Sequence, residues 1–217
     1  MDTKLEKVML LLCSGALALS AGGCVGNADP VPSQTSQATP TSSASSSSPV
    51  VTPTPTAKPT PTPIPGSSKG PAQNWPVPKM PDAAKEKSVE GLKAFVPYYY
   101  DLLAYTLNTD DSKPVRKVTH PDCEVCFEEF IKTADGNKAA GSWITGAEFT
   151  PQVTRAIIDG KSGVVLFVLD QSEILLYASD GTQYASFEAS TKPQPGSMVL
   201  LFDKGWKVQS IEIEAVP

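Results

Sequence analysis

A long stretch of Ser, Thr and Pro limits how much of this chain can form a folded core. Residues 25–70 include the run SSASSSSPVVTPTPTAKPTPTP, which holds few large apolar side chains and almost no charge. Such a segment buries too little surface to offset the entropy lost on ordering, so we expect it to stay unfolded. Its Thr-Pro steps favour polyproline II, which rises ~3.1 Å per residue and predicts a tether of roughly 150 Å.

The segment before this stretch has the order of a secretory signal peptide. Lys4 and Lys7 precede an apolar run over residues 8–19, and the small residues Ser20, Ala21, Gly22 and Gly23 follow. The apolar run is too short to span ~30 Å of hydrocarbon as a helix. Small residues directly before Cys24 resemble the lipobox of bacterial lipoproteins, with Ala21 at the position where that motif prefers Leu. The resemblance implies a chain that is cut before Cys24, diacylated there and anchored on the extracytoplasmic face of the cell membrane.

These features divide the chain into three predicted parts: a signal peptide (1–23), a disordered tether (24–74) and one folded domain (75–217) of common size. The whole chain has a net charge of −5, and residues 71–217 carry 14 Lys and Arg against 20 Asp and Glu, a net charge of −6. We expect no nucleic-acid partner, because phosphate binding requires a basic face. Contact with the membrane is expected through the lipid anchor alone.

The four cysteines divide among three roles. Cys13 lies in the apolar run, Cys24 is the lipidation candidate, and Cys123 with Cys126 remain as a pair. In an oxidising compartment such a pair forms a disulfide by default. A reactive thiol pair is the alternative, because a cysteine at a helix N-terminus has a lowered pKa. We favour the disulfide, since redox pairs normally follow a strand in a βαβ unit.

A zinc site is a further alternative for this region. It would require His120, Asp122, Cys123 and Cys126 as one cluster. Structural zinc sites normally draw their ligands from two separate elements, and no second pair of ligands occurs in this sequence. We therefore predict no metal site and no cofactor.

Two helices are predicted at the start of the domain, after an extended lead-in over residues 75–81 that packs on the domain. Ser88 can cap the first helix, which the polar residues 108–111 end. Its apolar residues recur at spacings of three and four and form one stripe: Val89, Leu92, Val96, Tyr99 and Leu103. The second helix is expected to begin at Asp122 and to stop at Asp135-Gly136-Asn137.

The remaining sequence predicts seven β-strands, at residues 144–149, 153–158, 164–169, 174–177, 184–187, 198–202 and 206–213. Turns at 159–163 and 203–205 indicate antiparallel hairpins. In the last strand, Trp206 and Val208 have one parity while Ile211 and Ile213 have the other, which predicts a bulge near Gln209. Helices followed by such strands predict an α+β fold, with the N-terminal helices packed on a curved antiparallel sheet.

This order of elements, together with the C-terminal FDKGWKVQSIEIE, is similar to the NTF2-like cone fold. The segments SVEGLKAFVPYYYDLLAYTLNTDD and HPDCEVC, with Gly-Ser-Trp at 141–143, resemble a family of actinobacterial lipoproteins of unassigned function. The resemblance covers residues 80–217. It implies a fold and a location, and no activity.

The fold resemblance also implies a cavity. Its predicted lining is aromatic, suited to a small apolar ligand or to side chains of a partner protein: Tyr99, Trp143, Phe149, Tyr177, Tyr184 and Trp206. The alternative is that these aromatic residues fill the core. Catalytic relatives of the fold place an acid–base pair in the cavity, but Tyr98, Tyr99, Tyr100 and Asp101 are consecutive on a helix and point about 100° apart. We predict no catalytic residues.

The sequence as a whole predicts a lipid-anchored, extracytoplasmic binding or assembly module of the cell envelope that is not an enzyme. Two alternatives stay open. The first is an envelope thiol–disulfide protein that uses Cys123 and Cys126, and the second is a small-molecule lyase or isomerase with its site in the cone pocket.

Overall fold

A computed structural model describes residues 61–214 of the chain. The predicted signal peptide, Cys24 and the tether up to residue 60 lie outside the described residues. The helical elements are a 3₁₀ turn (Ala83–Lys85), α1 (Val89–Thr109), α2 (Lys113–Arg116) and a π-helical turn (Cys126–Ile131) that continues directly into α3 (Lys132–Ala140). The strands are β1 (Trp143–Thr145), β2 (Phe149–Asp159), β3 (Ser162–Gln171), β4 (Ile174–Tyr177), β5 (Gln183–Phe187), β6 (Gln194–Phe202) and β7 (Trp206–Ile213). Over residues 61–214, no helix is both long and apolar enough to cross a membrane.

The first helix forms as its sequence predicts. The Ser88 hydroxyl accepts a hydrogen bond from the backbone N–H of Gly91 at 2.9 Å, which satisfies one free donor of the first turn. The helix ends where Asp110 takes the left-handed conformation with φ 54°. Thirteen residues of α1 are buried, so this helix forms the centre of the domain.

The second predicted helix extends further than expected. It continues through Asp135-Gly136-Asn137 to Ala140 and ends at Gly141, which has a φ of 69°. Asp135 does not stop the helix because its carboxylate accepts a hydrogen bond from the Ser112 hydroxyl at 2.6 Å and pairs with Arg116 on α2. Asp135 therefore faces α2, and the left-handed Gly141 ends the helix.

The seven strands form two antiparallel sheets. One sheet has the order β2-β3-β6-β7 and the other the order β1-β4-β5. The strand predicted at 144–149 is divided between them, because Gly146 and Ala147 have φ values of 88° and 36° and turn the chain from β1 into β2. The predicted bulge in β7 is confirmed, since Val199 pairs with Ser210 and Leu200 with Val208, which leaves Gln209 unpaired.

The main core lies between α1 and one face of the four-stranded sheet, which we call the inner face. Helix α1 supplies Leu92, Phe95 and Tyr99, and the sheet supplies Phe167 and Leu200 among other buried residues. A smaller cluster under the three-stranded sheet contains Leu107, Ile144, Ala147 and Ile174. The predicted α+β fold, with helices packed on antiparallel strands, is confirmed.

The folded part includes residues 61–74, which the sequence assigns to the tether. Ile64 pairs with Gln73 and Ser67 with Gly70 in antiparallel bridges. The indole N–H of Trp143 donates a hydrogen bond to the Ser67 carbonyl oxygen at 2.8 Å. Composition did not reveal this structure because its partners are a tight turn and a tryptophan more than seventy residues away.

Candidate functional site

A cleft of about 590 Å³ lies between the lead-in at residues 75–79, helix α1 and the start of β2. We call it the lead-in cleft. The lead-in contributes Trp75, Pro76, Val77, Pro78 and Lys79, while α1 contributes Asp101, Ala104 and Tyr105, and the start of β2 contributes Glu148, Phe149 and Thr150. Most of these side chains are apolar, and three of them can carry charge.

Each wall of the cleft has a local origin in the sequence. Pro76 and Pro78 fix φ near −65° and keep the lead-in extended. Asp101, Ala104 and Tyr105 are three and four residues apart, so α1 presents them on one face. A hydrogen bond of 2.9 Å from the backbone N–H of Glu148 to the Ser172 hydroxyl holds the chain where β2 begins.

The charged groups of the cleft are mainly acidic. Partial burial raises the pKa of the Asp101 carboxyl above its ordinary value. Over residues 61–214, no basic side chain lies within ion-pair distance of Asp101 or Glu148. The cleft can therefore accept an apolar group that carries a positive charge or a hydrogen-bond donor at one end.

Tyr105 also lines the cleft, and its hydroxyl is already engaged. It donates a hydrogen bond to Asp111 Oδ2 at 3.1 Å. Burial, and then the neighbouring Asp111 charge, raise the pKa of Tyr105 above its ordinary value. Sequence reasoning missed Tyr105 as a site residue, although its i,i+4 spacing from Asp101 was a usable signal.

The structure does not bring the six predicted lining residues together. Phe149 is the member of that set that lines the lead-in cleft. Tyr99 and Trp206 are fully or almost fully buried in the main core, where the Trp206 indole N–H donates to the Glu86 carbonyl oxygen at 2.9 Å. The predicted aromatic cavity is not assembled, because the aromatic side chains of α1 fill the space over the inner face.

The other three predicted lining residues lie on the three-stranded sheet. Trp143 and Tyr177 stack on each other with ring centroids 5.6 Å apart. Tyr184 is 57% exposed on β5. None of the three faces the lead-in cleft.

The tyrosines before Asp101 point away from the cleft. The Tyr99 hydroxyl bonds to Thr119 Oγ1 at 2.9 Å. The Tyr100 hydroxyl is buried and has no hydrogen-bond partner within residues 61–214. Burial raises the pKa of both phenols. As predicted from the helical geometry, these residues and Asp101 do not converge on one space.

Cys123 and Cys126 are joined, with an S–S distance of 2.03 Å, and both residues are buried. His120 Nδ1 lies 3.4 Å from Asp122 Oδ2. Since the two sulfur atoms are bonded to each other, they are not free to act as the thiolate ligands that the zinc alternative requires.

Three solved structures have a similar arrangement of helices and strands. The structure is similar to the intermembrane space region of the chloroplast protein ARC6, with a TM-score of 0.42 and 12% identity over 60% of this chain and 99% of that one. It is also similar to an NTF2-like superfamily protein from Salmonella enterica serovar Typhimurium, with a TM-score of 0.37 and 13% identity over 58% and 92% of the two chains. A protein designated Rd1NTF2_05 has a TM-score of 0.33 and 10% identity over 55% and 94%. Likenesses at this level carry no information about function.

The element order and the packing of α1 on the sheet define an α+β domain in which helices pack on antiparallel strands. No curated protein matches the chain in sequence. The sequence model of the family of unknown function DUF6318 matches residues 61–212, and the chain belongs to that family.

Proposed function

We propose that this protein is a lipid-anchored, extracytoplasmic binding module of the cell envelope that is not an enzyme, and that the lead-in cleft is its ligand site. The observation that carries the proposal is the composition of the cleft. Trp75, Val77 and Phe149 supply apolar walls, and Asp101 supplies a carboxyl that has no ion-pair partner among the described residues. Apolar walls with a few convergent polar groups are typical of ligand sites.

The chemistry of the walls defines the ligand class. An apolar or aromatic group would lie against Trp75 and Phe149, and a positively charged end would lie near Asp101 and Glu148. A small amphipathic amine fits this description, and so does the side chain of a partner protein that carries a positive charge beside an apolar surface.

The proposed location rests on the N-terminal sequence. Lys4, Lys7 and the apolar run resemble a signal peptide, and the small residues before Cys24 resemble a lipobox. The family match begins at residue 61, so most of the Ser/Thr/Pro-rich stretch lies before it. This arrangement supports a domain held at a distance from the membrane by a tether, with Cys24 as the lipid attachment.

Two alternatives have less support from the side chains. A thiol–disulfide exchange protein needs an accessible first cysteine, whereas Cys123 and Cys126 are 1% and 0% exposed. A lyase or isomerase needs an acid–base pair in the cleft. The Tyr105 hydroxyl donates its hydrogen bond to Asp111, and the pKa of Tyr105 is raised. This phenol therefore transfers a proton poorly near neutral pH.

Binding of a neutral apolar dye tests the cleft. Phenylnaphthylamine fluorescence should rise on mixing with the protein, and Ala104→Phe should weaken dye binding about tenfold by filling the cleft. Ala139→Phe, the same change at an exposed position of α3, is the control and should bind as the wild type does. Equal affinity in the Ala104→Phe and wild-type proteins would contradict the proposed site.

Competition with matched ligands tests the ligand class. Phenethylamine should displace the dye more effectively than the uncharged phenethyl alcohol, since the amine can pair with Asp101. Asp101→Asn should abolish that preference while leaving dye binding intact. If the alcohol competes as well as the amine in the wild type, the charged part of the proposal is wrong.

Labelling with palmitate tests the location. Cells that express the chain should incorporate labelled palmitate into it, and Cys24→Ser should abolish incorporation, because the acylated thiol is gone. Cys13→Ser is the control, since that residue would be removed with the signal peptide. Label that persists in Cys24→Ser would contradict the proposed anchor.

A further inference from the structure

Large apolar side chains are exposed to solvent on the face of the four-stranded sheet that points away from α1. We call this face the outer face. Burial alternates along β3, where Val165 and Phe167 are buried against the core and their neighbours are not. The strongly exposed apolar residues of the outer face are Ile157 (46%), Leu166 (43%) and Val164 (40%). Contiguous exposed apolar patches of this kind mark interaction surfaces.

The strand register places the outer-face residues in rows across the sheet. The central row is apolar over three strands and contains Ile157, Val164, Val199 and Ser210. The row on one side of it contains Arg155, Leu166, Ser197 and Glu212. The row on the other side contains Asp159, Ser162, Leu201 and Lys207.

The charges of the two flanking rows are arranged in opposite order. One row has a cation, Arg155, at the β2 edge and an anion, Glu212, at the β7 edge. The other row has an anion, Asp159, at the β2 edge and a cation, Lys207, at the β7 edge. An apolar centre with opposite charges at opposite edges is complementary to itself when one copy is turned over the other.

We propose that the outer face is the contact between two copies of this chain, related by a two-fold axis that runs parallel to the strands. This rotation lays β2 of one copy over β7 of the second and keeps each row over the same row. Arg155 then faces the partner's Glu212, and Asp159 faces the partner's Lys207. Sheets pack face to face about 10 Å apart, a gap that these long side chains can span.

The size of the surface sets the strength of the contact. Strands β3 and β6 pair over eight positions, Ser162 to Leu169. At about 4.8 Å between strands and about 3.3 Å per residue, four strands give a flat footprint of roughly 500 Å². Stable interfaces bury about 800 Å² of accessible surface per partner. The outer face is therefore at the low end, and we expect a reversible dimer whose population depends on concentration.

Sedimentation velocity of the full chain in a mild non-ionic detergent tests the dimer. The mass should rise from monomer to dimer as the concentration increases. Leu166→Lys places a charge at the apolar centre and should weaken the dimer by about tenfold or more. Tyr184→Lys, which changes another exposed ring on β5, is the control and should leave the dimer unchanged. A monomer at every concentration, or a dimer that Leu166→Lys leaves intact, would overturn the proposal.

A charge exchange tests the two-fold arrangement itself. Arg155→Glu and Glu212→Arg should each weaken the dimer, because each places like charges opposite one another twice per dimer. The two changes together restore opposite charges and should restore the dimer. Both positions are exposed, so the variants should fold, and circular dichroism checks that they do. A double variant that is as weak as the single ones would refute this pairing.

Discussion

Tyr100→Phe should stabilise the folded protein, whereas the same change at the neighbouring Tyr99 should destabilise it. The two phenols are adjacent on α1 and both are buried, at 2% and 0% exposure. Their hydroxyl groups differ in one respect. The Tyr99 hydroxyl bonds to Thr119 Oγ1 at 2.9 Å, while that of Tyr100 has no partner within residues 61–214.

The expected magnitudes follow from this difference. A buried hydroxyl without a hydrogen bond costs about 1–3 kcal/mol, so Tyr100→Phe should raise the free energy of unfolding by about 1–2 kcal/mol. Its ring contacts with Phe149 and Phe167, at centroid distances of 5.9 and 5.5 Å, are kept by the phenylalanine. Tyr99→Phe should lower the free energy of unfolding by about 1 kcal/mol. Thr119 is not left without a partner there, because its hydroxyl also donates to the Val115 carbonyl oxygen at 2.8 Å.

Urea unfolding followed by circular dichroism and tryptophan fluorescence measures both variants against the wild type. The transition midpoint of Tyr100→Phe should move up and that of Tyr99→Phe should move down, with unchanged slopes. The reasoning is refuted if Tyr100→Phe loses as much stability as Tyr99→Phe. That result would mean that the Tyr100 hydroxyl is satisfied, for example by a buried water molecule.

Three further changes test other parts of the structure. Burial raises the pKa of Asp110 to about 7. The folded protein therefore holds a proton that the unfolded chain releases above about pH 4. The free energy of unfolding should fall as the pH rises from about 4 to 8. Asp110→Asn, which tolerates the left-handed φ, should flatten that dependence in pH-resolved unfolding, and an unchanged slope would contradict the assignment. Gly146→Ala should lower the melting temperature strongly, because the new Cβ would lie 1.9 Å from the Glu173 carbonyl oxygen at a φ of 88°. Gly160→Ala is the control: it has a φ of 57° but no atom within 4 Å of the new Cβ, and it should cost only about 1 kcal/mol. Equal losses of stability in the two variants would argue against the clash. Replacing Cys123 and Cys126 by Ser should cost no more than about 2 kcal/mol and leave dye binding unchanged. A variant that folds but has lost a thiol-exchange activity of the wild type would favour the redox alternative.

Local signals predicted most of the secondary structure. Ser88, the apolar stripe of α1 and the polar residues after it act within a few residues of one another, so the bounds of this helix could be read from the sequence. The bulge at Gln209 was predicted for the same reason, since a change of parity along one strand is visible without knowledge of its partner. The end of α3 was mispredicted because Ser112 and Arg116, twenty or so residues away, engage Asp135.

The candidate site was harder to predict. The aromatic residues chosen for a cavity are distributed between the main core, the three-stranded sheet and the surface. The residues that line the lead-in cleft come from three separated segments, and only the packing of the lead-in over α1 brings Trp75 and Asp101 to the same space. Sequence alone gave no distance between these segments.

The amino-acid sequence by itself determined the presence of the two longer helical regions and the seven strands, the α+β class and the expectation of an anchored, tethered domain, because periodicity, caps and turn residues act locally. Tertiary structure decided the division into two sheets, the folding of residues 61–74 onto Trp143, and which side of the four-stranded sheet stays open. These features depend on which distant surfaces bury one another. A pattern of apolar residues predicts that one face of an element will be buried, and only the packed chain shows which residues cover that face.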